Sequence, residues 1–340
     1  MNTNKKINIA IIGAGRIGKL HAENLAHRIK NARPAAITDV IVDAARQTAN
    51  ELQIPIVETD YKRVLADKTI DAVLICSSTN THAQIIQEAA EAGKHVFCEK
   101  PVDLNLQRIQ AVLECVKKSG VKFQVGFNRR FDVNFSRLKE KLSAGEIGTP
   151  HILRITSRDP APPPLDYVKI SGGIFLDMTI HDFDMARFLT GSEVVEVYAI
   201  GDALIDPAFK QAGDIDTAII TLKFENGVIG TIDNSRQAAY GYDQRVEIFG
   251  SKGMLQANNT TPDQVVLLNQ QAVLASKPHY FFLERYREAY VTEIQAFVDA
   301  VLNDTEPPVT GIDGMAPLKI GLAAKKSLAE GRAVRLEEIV

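Results

Sequence analysis

The chain has 340 residues, enough for roughly two domains at about 150 residues each. With 39 basic and 42 acidic residues its formal net charge is −3, which excludes a generally basic chain that coats nucleic acid. Apolar residues make up 45% and charged residues 24%, the balance of an ordinary globular protein rather than a disordered or collagenous one.

The opening MNTNKKINIAIIGAG mimics a signal peptide. Its apolar stretch is short, runs into glycines and Arg16, and has no small-residue cleavage site after it. It reads instead as a first strand, Lys6 to Gly13. Ile17 to Ile29 follows as a helix, Ala35 to Val42 as a second strand and Asp43 to Leu52 as a second helix. Tyr61 to Ala66 is a short helix before the strand Asp71 to Cys76. Thr81 to Ala92 is a periodic helix stopped by Gly93. His95 to Cys98 is a strand, Leu104 to Lys118 a helix ended by Gly120, and Lys122 to Val125 another strand. Repeated β-α-β units of this length predict a parallel, doubly wound Rossmann sheet over residues 1–124.

The pattern changes after residue 125. Asn226-Gly227 sits between two β-rich runs, a tight hairpin signal. Arg245 to Phe249 leads through Gly250-Ser251-Lys252-Gly253 into Met254 to Ala257. Gln264 to Leu268 and Ala272 to Ala275 bracket another turn. At least six strands follow His151 without β-α-β alternation, interspersed with helices near Val133–Ala144, Asp177–Thr190, Arg285–Leu302 and Met315–Ala329. Ala161-Pro162-Pro163-Pro164 reads as a stiff loop. Residues 125–340 are therefore expected to form an α+β domain with an open, mainly antiparallel sheet. Such a sheet leaves one face for a second copy of the chain. No run of about 20 apolar residues is present to cross a bilayer. The three cysteines, Cys76, Cys98 and Cys115, are odd in number and lack CxxC spacing, which predicts a reducing, cytoplasmic setting.

Gly13-Ala14-Gly15-Arg16-Ile17-Gly18 is a G-x-G-x-x-G run between a predicted strand and a predicted helix. In that context it predicts a diphosphate on the helix N-terminus, held by the turn from Gly13 to Gly18. An acidic residue about 20 positions on should accept from the adenosine ribose. Asp39 lies 21 residues after Gly18, and its charge favours NAD over NADP. Asp43 competes for the role but falls inside the next predicted helix. Arg16 could tolerate a 2′-phosphate, pair with Asp39 or stack on the adenine.

Cys98-Glu99-Lys100-Pro101 follows a predicted parallel strand, at the sheet edge where ligands bind in open α/β folds. Glu99 and Lys100 are thereby placed by the nicotinamide. Asp177-Met178-Thr179-Ile180-His181-Asp182-Phe183-Asp184 is the second constellation. On one helix Asp177, His181 and Asp184 would share a face, with His181 as a general base beside carboxylates. The same spacing would suit a metal site, and it would equally suit a solvated polar face.

GAGRIG, the C-E-K-P motif, QVGFNRRFD (Gln124 to Asp132) and GGIFLDMTIHDFD (Gly172 to Asp184) occur in one order along the chain. In this it strongly resembles the glucose–fructose oxidoreductase and inositol dehydrogenase family, over nearly its whole length. The resemblance implies NAD-dependent oxidation of a secondary hydroxyl of a cyclic polyol, with myo-inositol as the first candidate. Scyllo-inositol or an aldose, and a non-enzymatic nucleotide-binding regulator, are the alternatives. It implies that Lys100 binds the reacting hydroxyl, that His181 is the base beside Asp177, and that no metal is required. Asp184 and Arg129 match substrate-side residues, and Tyr242 lies in a matching Tyr240-Gly241-Tyr242-Asp243 stretch. Ser77, Ser78 and His82 match a stretch that borders the cofactor, with Ser78 where proline is usual. Asp159 stands where inositol dehydrogenases often carry asparagine. A carboxylate only accepts hydrogen bonds where an amide also donates, so ring-hydroxyl preference turns on this position. The family also implies a homotetramer. The aromatic segment Tyr280 to Tyr290 reads as a packed helix face, a subunit contact or part of the site wall.

Overall fold

The computed structural model describes residues 6–340, and Lys5, the first lysine before the apolar opening run, lies outside them. The first half alternates strand and helix: β1 (Ile7–Ile12), α1 (Arg16–His27), β2 (Ala32–Thr38), α2 (Val42–Leu52), β3 (Ile56–Glu58) and α3 (Tyr61–Ala66). Then come β4 (Ala72–Ile75), α4 (Thr79–Glu91), β5 (His95–Glu99), α5 (Leu106–Ser119) and β6 (Phe123–Gly126). The strands pair in parallel in the order β3-β2-β1-β4-β5-β6. The chain winds outward from β1 in both directions, so the β1–α1 turn stands at the switch point where such sheets bind ligands. β3 is three residues long at the sheet edge, too short to show in the sequence pattern.

Two elements shift from expectation. β2 starts at Ala32 and stops at Thr38, although the apolar run continues through Val42. The Asp39 carboxylate accepts from the Ile41 N–H at 2.8 Å, a local turn that ends the strand and leaves Val40 and Ile41 exposed. The expected single boundary near residue 125 is also not how the chain packs. Among the described residues, 6–128 and 288–316 form one compact unit, and 129–287 with 317–340 form the other.

The remaining elements, in chain order, are α6 (Val133–Ser143), β7 (Pro150–Arg158), α7 (Leu165–Ser171), α8 (Ile174–Asp177), α9 (Ile180–Thr190), β8 (Val194–Asp202) and α10 (Ala208–Gln211). β9 (Thr217–Phe224), β10 (Ile229–Ser235), β11 (Asp243–Gly250), β12 (Gly253–Ala257), β13 (Val266–Leu268) and β14 (Val273–Ala275) follow. The chain closes with α11 (Phe282–Arg285), α12 (Arg287–Asn303), α13 (Gly311–Glu330) and β15 (Val334–Arg335). α12 returns to the first unit. Its Ile294, Phe297 and Val298 are buried among Ile9, Ile11, Leu25, Leu74 and Phe97, which explains why the first unit needs a segment so distant in sequence.

The second unit is built on a sheet in the order β12-β11-β7-β10-β9-β8-β15, antiparallel throughout except between β7 and β10. β9 and β10 turn on Asn226-Gly227 as expected, with Gly227 at φ +86°. β9 alternates buried and exposed residues along its length, so the sheet has one covered and one open face. On the open face Met254, Phe249, Ile152 and Ile229 are exposed and are register neighbours across β12, β11, β7 and β10.

Candidate active site

In the first unit the β1–α1 turn is shaped by its glycines. Gly13 has φ +105°, and a Cβ there would meet the Cys76 carbonyl at 2.6 Å. A Cβ on Gly18 would drive into the Gly13 carbonyl oxygen, so α1 lies against the turn as the motif requires. Nothing lies within 4 Å of the position a Gly15 Cβ would take, which leaves the backbone open to an incoming group. No side chain caps α1, and Gly15 and Arg16 are exposed with Ile17 half-buried behind them. Asp39 follows β2 directly and accepts the Ala14 N–H at 2.6 Å, tying the turn to the strand end. Asp43 lies in α2, exposed and beside Arg46, as its helical position suggested.

β5 ends at Glu99, and the Lys100–Pro101 peptide that follows is cis. Lys100 is half-buried. His82 is buried, with Nδ1 at 2.8 Å from the Pro101 carbonyl and Nε2 at 2.9 Å from the Ser77 carbonyl. Its ring therefore braces the E-K-P turn against the loop after β4. The Ser77 hydroxyl meets Thr81 Oγ1 at 2.7 Å, and Ser78 stands exposed at the N-cap of α4.

In the second unit the expected continuous helix from Asp177 to Thr190 is broken. α8 ends at Asp177 and α9 begins at Ile180, so Asp177 and His181 are not one turn apart on a single helix. Thr179 is part of the reason: its hydroxyl donates to Asn234 Oδ1 at 2.6 Å and lies 3.2 Å from the Ile174 carbonyl. Asp177 and His181 are each half-buried. Asp177 accepts from the Tyr167 hydroxyl at 2.8 Å, and its other oxygen lies 3.5 Å from the buried guanidinium of Arg236. Asp184, expected on the substrate side, is buried and receives Arg130 through both carboxylate oxygens. Arg129 is likewise buried, donating to Asp182 at 2.6 Å and to the Ser157 and Tyr242 hydroxyls at 3.4 Å. Tyr242 is buried with its ring edge-on to Tyr286. Within the aromatic segment Tyr286 and Tyr290 are buried and Tyr280 is exposed, so the segment is largely packed.

Charge is crowded around this cluster. Burial, reinforced by Asp177 and resisted by Arg236, pushes Asp159 up to about 6. Burial and then the Asp177 charge push the Tyr167 phenol well up, so it stays a donor. Burial raises Asp182 against the pull of Arg129 and Asn234. Asp159 is fixed through its backbone: its N–H donates to the Ser235 carbonyl at 2.9 Å, and its carbonyl accepts the Ala238 N–H at 2.7 Å.

Residues 7–127 match the oxidoreductase family with an NAD-binding Rossmann fold, and residues 135–256 match the GFO/IDH/MocA C-terminal domain. The chain belongs to the GFO/IDH/MocA family. It is 53% identical to myo-inositol 2-dehydrogenase of Thermotoga maritima, over 98% of this chain and 99% of that one. It is 44% identical to inositol 2-dehydrogenase of Rhizobium meliloti, over 97% of this chain and 99% of the relative. A solved scyllo-inositol dehydrogenase of Lactobacillus casei, with NAD(H) and scyllo-inositol bound, superposes with a TM-score of 0.92 at 35% identity. That match covers 98% of this chain and 100% of the other.

As a GFO/IDH/MocA oxidoreductase the chain uses NAD. Its own residues fit that cofactor: the opening at Gly15 and the uncapped start of α1 suit a diphosphate, and Asp39 stands at the end of β2. Sequence reasoning missed Tyr167, Arg236, Asp182 and Asn234. Asp182 lay in plain view between two candidates. The other three carry no local signal, because what places them is contact between distant strands and helices.

Proposed function

We propose that the protein is an NAD-dependent inositol dehydrogenase, with myo-inositol oxidised to its 2-keto product. The observation that carries this reading is the polar wall of Asp159, Tyr167, Asp177 and Arg236, set beside His181 in the sequence of α8 and α9. Several donors and acceptors held by a rigid sheet suit a substrate that presents a ring of hydroxyls. The names of the relatives support the same substrate class.

In this reading Lys100 donates to the reacting oxygen and favours its alkoxide character. His181 takes the hydroxyl proton. Asp177 stabilises the imidazolium that results, and Tyr167 and Arg236 hold Asp177 in place. NAD, when bound, supplies the hydride acceptor. Asp39 favours NAD over NADP by repelling a 2′-phosphate. Arg129, Asp184 and Tyr242 act from behind, as supports for this wall, because each is buried and paired with a protein group. No membrane-length apolar helix occurs among the described residues. The three cysteines are free. We place the enzyme in the cytoplasm on that basis. The open sheet face offers a surface to a second copy, in keeping with the homotetramer that the family resemblance implies.

Asp159 favours a second reading, scyllo-inositol or an aldose as the preferred substrate, since a carboxylate here accepts where asparagine would also donate. The deciding experiment is NADH formation by the purified protein with NAD or NADP across myo-inositol, scyllo-inositol, D-chiro-inositol, glucose and xylose. Strong turnover of myo-inositol with NAD is expected. Turnover of scyllo-inositol or an aldose alone would keep the chemistry and move the substrate. No turnover of any polyol would overturn the reading.

A further inference from the structure

Behind the E-K-P strand end lies a largely buried cluster, with Glu99 15% exposed, whose His21 and Glu293 the chemistry above does not use. His21 of α1 meets Glu99 with Nε2 to Oε1 at 2.7 Å, and His21 is 0% exposed. Glu293 of α12 is also 0% exposed, and neither of its carboxylate oxygens has a hydrogen-bond partner. The ligating atoms of His21, Glu99 and Glu293 all lie within 4.8 Å of one another.

The surroundings offer little to neutralise two carboxylates. From the turn just after β4 and from β5 come the thiols of Cys76 and Cys98, both pushed up by burial and so uncharged. From β6 comes the neutral amide of Gln124, which donates to the Glu293 carbonyl at 2.9 Å. From α12 comes Tyr290, and with Phe97 it sets a ring edge-on to His21. His21 itself offsets one negative charge at most. Two carboxylates this close, in an apolar enclosure, do not both ionise.

We propose that Glu293 is a positioning residue for Lys100: it stays protonated beside Glu99, leaving a single negative charge to meet His21 and lock the end of β5. This rests on the dehydrogenase reading, which makes Lys100 the group that needs locking. The lock reaches two binding elements. Glu99 pairs in register with Gly126 of β6, where a Cβ would press on its carboxyl group at 3.1 Å. His21 belongs to α1, the helix whose N-terminus fits the diphosphate. An ionised Glu293 would repel Glu99, loosen the His21 contact and free the strand end that carries Lys100. Burial, and after it the Glu99 charge, push Glu293 well above the usual carboxylate range, in keeping with this assignment.

The test uses Glu293→Gln, a neutral replacement of nearly the same shape, and three readouts. Infrared spectra of the wild type at neutral pH should contain a protonated-carboxyl carbonyl band that the variant lacks. kcat should stay within about twofold, because the neutral form is the working one. The alkaline fall in kcat should move to higher pH in the variant, since its neutral amide cannot ionise. A merely structural residue would change stability without moving that limb. Loss of the band in the wild type at neutral pH would overturn the proposal whether or not the variant folds. So would a folded variant with kcat down by tenfold or more, or a stoichiometric divalent metal bound by the wild type and lost in the variant. The infrared arm needs no substrate, so failure of the polyol reading would leave the cluster tested on its own.

Discussion

Arg129 and Asp182 form an enclosed ion pair, Nη1 to Oδ1 at 2.6 Å, with side chains 5% and 0% exposed. Asp182 also accepts from Asn234 of β10 at 2.9 Å, so the pair joins the segment after β6 to α9 and to the sheet. Asp182→Ala would leave a buried guanidinium with two 3.4 Å hydroxyl contacts and the Tyr286 ring, but no carboxylate at Asp182 to meet its charge. Removing one partner of a buried pair costs about 3–5 kcal/mol, and denaturant unfolding should show a loss of that size. Glu140→Ala, which breaks an exposed pair with Arg137, serves as the control and should unfold like the wild type. An Asp182→Ala protein as stable as that control would mean the pair is not the brace described here.

Asp159 gives a pH signature. Its folded value, raised to about 6 by burial, lies above the unfolded value of 3.8. The folded chain therefore holds this proton over a window where the unfolded chain has released it. The stability it contributes is fully present below 3.8 and is lost as pH rises through about 6. Asp159→Asn removes that dependence. The variant should gain about 1–2 kcal/mol over the wild type on going from pH 4 to pH 8. Its ranking of myo- against scyllo-inositol should shift as well, because the amide donates. Parallel stability curves for the two proteins across this range would remove Asp159 from the account.

The parallel half was legible because its signals are local: strand, glycine turn and helix recur within a few tens of residues, and Asp39 follows its strand as the spacing required. What escaped was set by distance. Nothing near Ile294, Phe297 or Val298 says that α12 completes the first core, because the groups it covers, from Ile9 to Phe97, lie far earlier in the chain. The constellation from Asp177 to Asp184 stands out in the sequence, but its geometry does not. A continuous helix is the default for that pattern, and at the break Thr179 bonds Asn234, 55 positions away. Asp184 and Arg129 are each paired inward, which composition alone does not reveal.

Asp39 carries two duties. Its Oδ2 accepts the Ala14 N–H and its Oδ1 the Ile41 N–H, and cofactor selection is assigned to its negative charge. Asp39→Asn removes the charge and keeps one of the two acceptor oxygens, so it gives up one turn bond as well; that bond serves both cofactors, and the comparison of NAD with NADP isolates the charge. A hydrogen bond to a charged group is worth about 1.5–3 kcal/mol, so kcat/KM with NAD should fall by roughly 10- to 100-fold relative to that with NADP. Steady-state kinetics with both cofactors measures the ratio. A ratio unchanged by the substitution would shift selection to Arg16.

Lys100 and His181 should separate in kinetics from the residues that support them. Lys100→Met removes charge stabilisation that matters most in the transition state. kcat should fall by about 10²–10³ with a smaller change in KM. His181→Asn should lose about 10²–10⁴ in kcat and, with it, the acidic limb of the pH profile that reports the base. Tyr167→Phe keeps both groups and only frees Asp177 from a 2.8 Å bond, so it should fall between them and the wild type. Near-normal kcat in Lys100→Met would sink its assignment outright, whatever the other two variants do.

The open sheet face makes a prediction about assembly. Met254, Phe249, Ile152 and Ile229 form an apolar row across four strands and are all exposed in the single chain. Contiguous exposed apolar surface of this kind marks an interface, and a twisted open sheet offers the same self-complementary patch to each copy. Phe249→Glu places a charge in the middle of the row, away from every residue assigned to chemistry. Analytical ultracentrifugation should find the wild type as a tetramer and the variant as a smaller species, with NAD still bound by the smaller form. A wild-type protein that sediments as a monomer would leave this face without the role given to it, while a variant that remains tetrameric would move the contact to another surface of the second unit.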